Sequence, residues 1–585
     1  MINFLKGSLQ ASFLIFICLY ATTSTAQFSP KVVANDPQWQ ALLHIHEDEP
    51  VIKSSFLLSG KHFSPLNELT QTIALLDSSK QHTKACQFIA RHYYLSVIKN
   101  YSLPPITCPG YETFTRQVPA DHISVLFASE NLSQPASIMG HTMMALSDSQ
   151  FSTQHSVSFF TELTTANPIK LIWENLIVGQ PGYFLVQPLQ KNLDQYIDKE
   201  QRNIWRYPIT LSDQDKQLFL RHLWELKSAP LEYLFSAHNC ATLTLDILRV
   251  VNPSLKKHRQ NWVSPIDVVK AAEQEGMLGK PLIYGSAKWK IRLLSDTTNQ
   301  LADHEQVDSS KPNTILAGLL SYEKNRYDYL QGDTPKTDWY KKSASLSLRG
   351  LDINQHSISL DKSRSPLLTP KDSQWGFSSV QYQAFGQTQS AMNIYWMPAS
   401  HQLMDDNQQY ASENALKILM LKAAVRENNL QLDSVHLYQA ESYLNNNRYI
   451  GGTSGRFGIG LKRFPIQQSE QKLASYIDGA LGKTLKAHKD LSLYGFWRAG
   501  LRANTERIYA TTGPEVGLFF YWVGGMKTHL KYSKLWRSRL TELESFDFKH
   551  TLLKWNDGSL KLSYTQERWN NLSRYSGEVG FSFYY

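Results

Sequence analysis

Most of the C-terminal half of this sequence alternates apolar and polar residues in segments of roughly ten residues. Such segments start after Trp339, turn residues separate them, and counting them predicts about twelve strands. The clearest are Ser343 to Arg349, Gln374 to Phe385, Gln431 to Ala440, Leu491 to Arg502, Glu515 to Val523, Phe546 to Trp555, Ser559 to Arg568 and Gly577 to Tyr585. Because successive strand side chains point to opposite faces, the pattern predicts an antiparallel β-barrel with one apolar face.

The alternation alone fits a soluble β-sandwich as well as a barrel in an outer membrane. Aromatic residues at the segment ends and an aromatic C-terminus favour the membrane barrel; they include Trp497, Tyr521, Trp522, Trp555, Trp569 and Tyr585. The run from Leu416 to Val425 fits least well, because Lys417 and Lys422 interrupt it.

The N-terminus predicts export. Lys6 precedes a short apolar run, Phe13 to Tyr20, and Ser24-Thr25-Ala26 supplies small residues for cleavage, so residues 1–26 are predicted to be a signal peptide. No later segment has the apolar run of a membrane helix. The net charge of +9 favours anionic partners such as lipid headgroups or cell-wall polymers, and nucleic acid is not expected for an exported protein.

Three cysteines remain after the signal peptide. In an oxidising compartment we expect Cys86 and Cys108, which flank a helical run, to form a disulfide, and Cys240 is then left over. An unpaired exported cysteine is either a reactive thiol or the site of another bridge, so pairing of Cys240 with Cys86 or Cys108 stays open.

The predicted fold class is α+β, divided into a helical domain (27–115), a thiol-enzyme domain (116–290), a linker (291–338) and the barrel (339–585). Asp36-Pro37 predicts a helix start. His44 and His46 stand beside acidic residues, but side chains two apart do not share a helix face, so we expect a solvated loop and no metal. The thiol-enzyme domain has predicted strands at 123–128, 142–146, 157–160 and 183–187, and helices after Ser212, Asn239 and Ser264.

The chemistry is predicted to centre on Cys240, at the start of a helix that follows Asn239. The helix dipole and a nearby imidazole lower a thiol pKa, and helix-start N–H groups can hold an oxyanion. His141, after Gly140 at the start of a strand, is the preferred base. Asn239 is predicted to cap the helix or to orient the thiol.

Other histidines and polar groups are weaker candidates. His238 should diverge from Cys240 at the helix start, and packing is the simpler explanation of His222. The imidazole needs an orienting partner, for which Glu162, Ser158 and His155 are the candidates. No cofactor is expected.

Several short motifs resemble the Lnb-type N-terminal periplasmic domain family across roughly 118 to 275. They are Gly140-His141-Thr142, Gly179 to Phe184, Arg202 to Tyr207, His222 to Leu226, Tyr233-Leu234-Phe235, Asn239-Cys240 and Pro265 to Val269. The resemblance implies a permuted papain-like thiol enzyme in which Cys240 is the nucleophile and His141 the base. Ala237-His238 and Ala241-Thr242 depart from the family pattern, which leaves the acyl acceptor in doubt.

The family includes a bacterial lipoprotein N-acyltransferase that passes a phospholipid acyl chain through a cysteine thioester. The resemblance therefore implies an exported acyltransferase or hydrolase at the outer membrane, with a phospholipid or lipoprotein acyl group as substrate. A cell-wall peptide amidase acting on peptidoglycan is the enzymatic alternative. A channel or assembly barrel carrying an inactive thiol domain is the non-enzymatic one.

Overall fold

The computed structural model describes residues 28–52, 56–78, 82–131, 139–161, 170, 174, 178–227, 229–235, 237–298, 312–339, 341, 365–384, 386–398, 400–427, 429–465 and 471–585. Three predictions lie outside these residues: the signal peptide at 1–26, the strand at 343–349 and the candidate Glu162. The described chain is mixed, with helices around one open sheet followed by a closed barrel.

The N-terminal part is helical, as predicted. Its helices are α1 Pro30–Ala34, α2 Pro37–Leu42, α3 Pro65–Leu76, α4 His82–Ala85, α5 Ile89–Tyr93 and α6 Pro109–Gln117, and β1 Ile45–His46 pairs with β2 Glu49–Pro50. Asp36 caps α2 by accepting the backbone N–H of Gln38 at 2.8 Å. Cys86 and Cys108 form the predicted disulfide, and Cys240 is a free thiol.

The prediction of a solvated loop at His44 is wrong. His44 is fully buried, and its Nε2 lies 2.8 Å from Nε2 of His222, a residue of the next domain. Burial lowers the pKa of His44 to about 4, so the pair is neutral and one imidazole donates to the other. Within the described ranges, no cluster of three or more His, Cys, Asp or Glu is placed to hold a metal.

The middle of the chain folds around a seven-stranded antiparallel sheet. Its strands are β3 His122–Ala128, β4 His141–Ser147, β5 Gln154–Thr161, β6 Gln180–Pro188, β7 Ile204–Ile209, β8 Leu231–Tyr233 and β9 Leu282–Tyr284, in the order β8-β6-β5-β4-β3-β7-β9. The helices are α7 Leu189–Leu193, α8 Asp213–Leu226, α9 Cys240–Val251 and α10 Pro265–Gln274. The four predicted strands are β3 to β6, and Ser212, Asn239 and Ser264 cap α8, α9 and α10.

Two apolar layers cover the two faces of this sheet. Met144 and Leu146 of β4 pack in the large core with Leu245 of α9, whereas Met143 and Ala145 pack on the other face with Leu189 of α7. The alternation of side chains along β4 produces this division. His141 lies at the start of β4, the central strand of the sheet, next to residues that pack into both layers.

Two helices connect the sheet to the barrel: α11 Ala287–Thr298 and α12 Pro312–Gln331. Lys290 of α11 forms an ion pair with Glu323 of α12 at 2.8 Å, and their apolar faces share a small core.

The barrel contains the predicted twelve strands and is closed by pairing of its first and last strands. They are β10 Gln374–Ala384, β11 Gln387–Met397, β12 Glu413–Arg426, β13 Asn429–Tyr443, β14 Ser454–Pro465, β15 Gln471–His488, β16 Leu491–Ala503, β17 Ile508–Tyr521, β18 Lys527–Arg537, β19 Leu540–Trp555, β20 Gly558–Trp569 and β21 Leu572–Tyr584. The run from Leu416 to Val425, which fits the strand pattern least well, is part of β12. Its Lys422 forms an ion pair with Glu578 of β21.

The outer face of the barrel is apolar and exposed. Large apolar side chains that point outward include Trp375, Phe377, Phe457, Ile477, Leu481, Trp497, Leu501, Val516, Leu553 and Phe581. Ion pairs occupy the inner face, such as Arg456 with Glu515 at 3.1 Å. An apolar band outside and polar groups inside are the arrangement that a lipid bilayer requires of a barrel.

No helix in the described part of the chain is both long enough and apolar enough to cross a membrane.

The sheet domain lies against one end of the barrel, the end at which β10 begins and β21 finishes; we call it the domain-facing end. There the backbone N–H of Ala411 donates to Glu130 at 3.0 Å, and Arg292 of α11 donates to the carbonyl of Asn445 at 2.8 Å. Both barrel residues belong to the loops β11–β12 and β13–β14.

Candidate active site

Cys240 is the first residue of α9, as predicted, and Asn239 fixes that helix start. The Asn239 side chain accepts the N–H groups of Ala241 at 2.8 Å and Thr242 at 2.9 Å. Its amide donates to the carbonyls of Phe235 at 2.8 Å and Val263 at 3.1 Å. Every polar atom of this side chain is thus used to hold the backbone around Cys240, which makes Asn239 a cap.

The thiol of Cys240 meets the first strand residues of β4. The backbone N–H groups of Thr142, of Ala241 and of Cys240 itself lie close enough to the sulfur to favour its thiolate form. His141 precedes Thr142 in the chain, so the sheet places the backbone of the predicted base beside the predicted nucleophile. The N–H groups of Ala241 and Thr242 bond to Asn239, so an oxyanion depends on those of Cys240 and Thr142.

Tyr196 links the two predicted residues. Its ring packs on the imidazole of His141 with centroids 5.8 Å apart, and its hydroxyl lies within electrostatic range of Cys240. Burial raises the pKa of Tyr196 to about 12, so the hydroxyl keeps its proton and can donate. Tyr233, at the end of β8, is also within electrostatic range of the thiol.

Glu200 and Arg202 supply the charges around His141. Arg202 forms an ion pair with Glu200 at 3.0 Å, lies over the ring of Tyr196 at 4.9 Å, and donates to the carbonyl of Ala128 at 2.9 Å. Sequence reasoning did not assign roles to Tyr196, Glu200 or Arg202. Arg202 opens one of the motifs of the resemblance, and that was the only available signal for it.

Both reactive groups are neutral at rest. Burial raises the pKa of the Cys240 thiol to about 11, although the N–H groups of Thr142 and Ala241 and the charge of Arg202 act in the opposite direction. Burial and Arg202 lower the pKa of His141 to about 4, against the attraction of Glu200. The sequence led us to expect a lowered thiol pKa, but the cost of burying a thiolate outweighs the helix-start N–H groups.

The other candidates have different places. His155 pairs with Leu146, five residues along β4 from His141 and roughly 16 Å away. Ser158 follows Val157, which pairs with Met144. His222 is buried against His44, which confirms a packing role. Among the described residues, Glu200 is a carboxylate within electrostatic range of His141, and Glu162 stays a prediction.

The raised thiol pKa predicts slow alkylation with a steep pH dependence. Only the thiolate reacts, so at pH 7 to 8 Cys240 should react with iodoacetamide about 100-fold more slowly than an unburied cysteine. The rate should rise about tenfold per pH unit up to pH 10 without a plateau, as measured by mass spectrometry of the intact protein. The urea-unfolded, non-reduced protein is the control. A plateau below pH 9 in the folded protein contradicts this prediction.

The loops that carry the site rest on the outer wall of the barrel. Met139, Phe235 and Trp262 pack against Leu416 and Ile418 of β12. Met139 is two residues before His141. The Asn239 side chain donates hydrogen bonds to the carbonyls of Phe235 and of Val263, and Val263 is the next residue after Trp262. Leu416 and Ile418 flank Lys417 and point outward, close to the domain-facing end. The site therefore lies beside the apolar outer surface of the barrel, at its rim.

A family profile identifies this part of the chain: the Lnb N-terminal periplasmic domain matches residues 110–275. Residues 110–275 are an Lnb N-terminal periplasmic domain. Residues 31–97 and 364–584 each match a domain of unknown function. A search of curated proteins gives no match.

Solved structures similar to this chain include an outer membrane channel from Pseudomonas putida F1 and the transport unit of the autotransporter AIDA-I from Escherichia coli. The channel is 8% identical, with 39% of this chain and 100% of that chain covered and a TM-score of 0.26. The transport unit is 9% identical; the match covers 41% of this chain and 97% of the transport unit, with a TM-score of 0.23. The closed barrel is defined by the pairing of its own strands, β10 to β21.

The Lnb domain and the barrel together define the location of the protein. The matching domain is periplasmic by description, and it lies at the domain-facing end of a closed barrel with an apolar exterior. The barrel belongs to the outer membrane, and the domain-facing end is its periplasmic end.

Proposed function

We propose that the protein is a periplasmic thiol acyltransferase or hydrolase, with Cys240 as nucleophile and His141 as base on a permuted papain-like domain. The observation that supports it best is the free thiol at a capped helix start, with the N–H of Thr142 close to it and His141 next in the chain. A half-buried, neutral thiol and a neutral imidazole can exchange a proton during attack on a carbonyl.

In the first step the sulfur of Cys240 attacks the carbonyl carbon of an ester or amide as its proton passes to the neutral imidazole of His141. The N–H groups of Cys240 and Thr142 hold the oxyanion. The C–O or C–N bond then breaks, the proton of His141 passes to the leaving oxygen or nitrogen, and a thioester remains on Cys240.

In the second step an amine or water attacks the thioester. His141 takes a proton from the attacking group, the C–S bond breaks, and the thiolate is protonated again. The product is an amide when the acceptor is a lipoprotein amine and a free acid when it is water. Glu200 favours the transient positive charge of the imidazole, whereas Arg202, whose effect on His141 is the larger, opposes it and keeps the resting imidazole neutral.

Contact with the barrel wall supports a lipid or lipoprotein substrate. Phe235 and Trp262, whose loop backbone holds Asn239, pack on the outward-facing Leu416 and Ile418. At the periplasmic rim this outer surface meets the inner leaflet, so the tether keeps the thiol at the level of lipid ester bonds and raises their local concentration.

Trapping the acyl-enzyme tests the proposal. The full-length protein in detergent micelles is mixed with phosphatidylglycerol, which has no amine acceptor, quenched in acid and digested. We expect a fatty-acyl mass on the peptide that contains Cys240, its removal by hydroxylamine, and no adduct on the Cys240→Ala variant. A peptidyl adduct formed from peptidoglycan fragments indicates a cell-wall amidase instead, and no adduct from either substrate class contradicts the proposal.

A further inference from the structure

The lumen of the barrel contains many charged side chains, and the described acids among them form ion pairs. Pairs on the inner wall are Lys527–Glu413, Arg456–Glu441, Arg498–Glu515, Arg502–Asp478, Lys531–Asp547, Lys422–Glu578, Arg426–Asp433 and Arg574–Glu567. These pairs nearly balance the charge of the wall. Lysines of the described lumen outside these pairs have carboxylates only at longer range: Glu441 acts on Lys417, Asp433 and Glu567 act on Lys462, and Asp547 acts on Lys549.

Three such cations are Lys417 of β12, Lys462 of β14 and Lys549 of β19. No ion pair or side-chain hydrogen bond of these ammonium groups occurs within the described ranges. Their strand positions place them inside: Lys417 lies opposite Gln439, Lys462 opposite Ser434, and Lys549 opposite His529. Ser434 and His529 are both buried in the lumen.

The three lysines come from separate parts of the wall but act on one another. Lys417 is within electrostatic range of both Lys462 and Lys549, and Lys462 is within range of Lys549. Like charges confined in one lumen repel, and a bound anion relieves that repulsion. Strands β12, β14 and β19 are not adjacent in the sheet. The three lysines come within range of one another because the barrel closes around a common lumen.

A loop fills part of the lumen on the periplasmic side of this cluster. Residues 400–412, which we call the plug, fold into the domain-facing end. There Asp405 accepts bonds from Lys561 at 2.8 Å and from the hydroxyl of Tyr584 at 2.9 Å, and Asp406 accepts one from Lys554 at 2.6 Å. Leu403 of the plug packs on an aromatic layer made of Tyr443, Tyr494, Phe496 and Phe519. The plug therefore narrows the approach to the lysines from the periplasm.

We propose that Lys417, Lys462 and Lys549 form an anion-binding site in the barrel lumen, for an oxyanion with at least two negative charges such as a phosphate group. Three ammonium donors suit the several oxygens of such a group. The site is separate from Cys240 and does not depend on the proposed thiol chemistry. The phosphate can be free or carried by an outer-leaflet lipid, because both present the same oxygens.

Calorimetric titration of the full-length protein in uncharged detergent tests the site, with inorganic pyrophosphate as one probe and micelles doped with phosphatidic acid as the other. We expect each of Lys417→Gln, Lys462→Gln and Lys549→Gln to weaken binding of the preferred probe about tenfold, and the triple variant to abolish it. Lys489→Gln, in the exposed β15–β16 turn, is the matched control and should bind as the wild type does.

Folding of each variant is checked on a denaturing gel. A folded barrel migrates faster when the sample is left unheated than after heating has unfolded it. Pyrophosphate binding alone assigns the site to a free oxyanion, and phosphatidic acid binding alone assigns it to a lipid headgroup. The proposal is overturned if a folded triple variant binds the preferred probe as tightly as the wild-type protein does. It is also overturned if the wild-type protein binds neither probe.

Discussion

Replacing Cys240 with alanine is expected to lower acyl release from phospholipid by about 10⁴-fold or more, because no other described residue of the site can form the thioester. The measurement is the rate of lysophospholipid formation by the full-length protein in mixed micelles. Cys86 and Cys108 form a disulfide and cannot substitute for the nucleophile. The change removes one half-buried sulfur, so the fold should persist.

His141→Gln is the companion variant, and we expect it to lower the same rate by about 10² to 10⁴-fold. Glutamine can fill the space beside Tyr196 but cannot take the thiol proton. His155→Gln is the matched control, because His155 of β5 pairs with Leu146, at the opposite end of β4 from His141. Equal losses in the two histidine variants would contradict the assignment of His141 as base. Full activity in Cys240→Ala would leave the barrel as the functional part and the thiol domain as a binding module.

Local sequence signals predicted the architecture well. Alternation predicted the barrel and its strand number, because every barrel strand has one apolar and one polar face. Caps at Ser212, Asn239 and Ser264 predicted where three helices begin, because their side chains satisfy the first free N–H groups. The Cys86–Cys108 pairing followed from the number of cysteines in an exported chain. Each of these signals is carried by residues close together in sequence.

The surroundings of the site could not be predicted in this way. Tyr196, Glu200 and Arg202 reach His141 only because α7 and the segment after it cover one face of the sheet. The raised pKa of Cys240 likewise depends on burial by several elements, which the Asn-Cys motif does not encode. The His44–His222 contact joins residues 178 positions apart, so its sequence neighbourhood indicated a loop. Tertiary burial decides all three cases.

Arg91→Met is expected to destabilise the periplasmic part by about 3 to 5 kcal/mol, because it leaves buried carboxylates without their cation. Arg91 is fully buried, 2.6 Å from Glu68 and 3.6 Å from Glu225, where the helical N-terminal part meets α8. It also donates to the carbonyl of Phe56 at 2.7 Å. Thermal unfolding followed by tryptophan fluorescence should show a Tm about 6 to 20 °C lower. Arg116→Met, on the exposed face of α6, is the control and should leave Tm nearly unchanged.

The pH dependence of this loss identifies its cause. Burial raises the pKa of Glu225 to about 7 even with Arg91 present. Burial acts on Glu68 in the same direction, but Arg91 and the bonds from Ser59 and Leu58 hold the pKa of Glu68 below its usual value. Without Arg91 both folded-state pKa values rise above those of the unfolded chain, so protonation at low pH favours the folded variant. The deficit relative to wild type should therefore be largest at pH 8 and shrink toward pH 5. A deficit that is constant across this range would indicate lost packing of the Arg91 side chain against Phe56 and Phe88 instead of uncompensated charge.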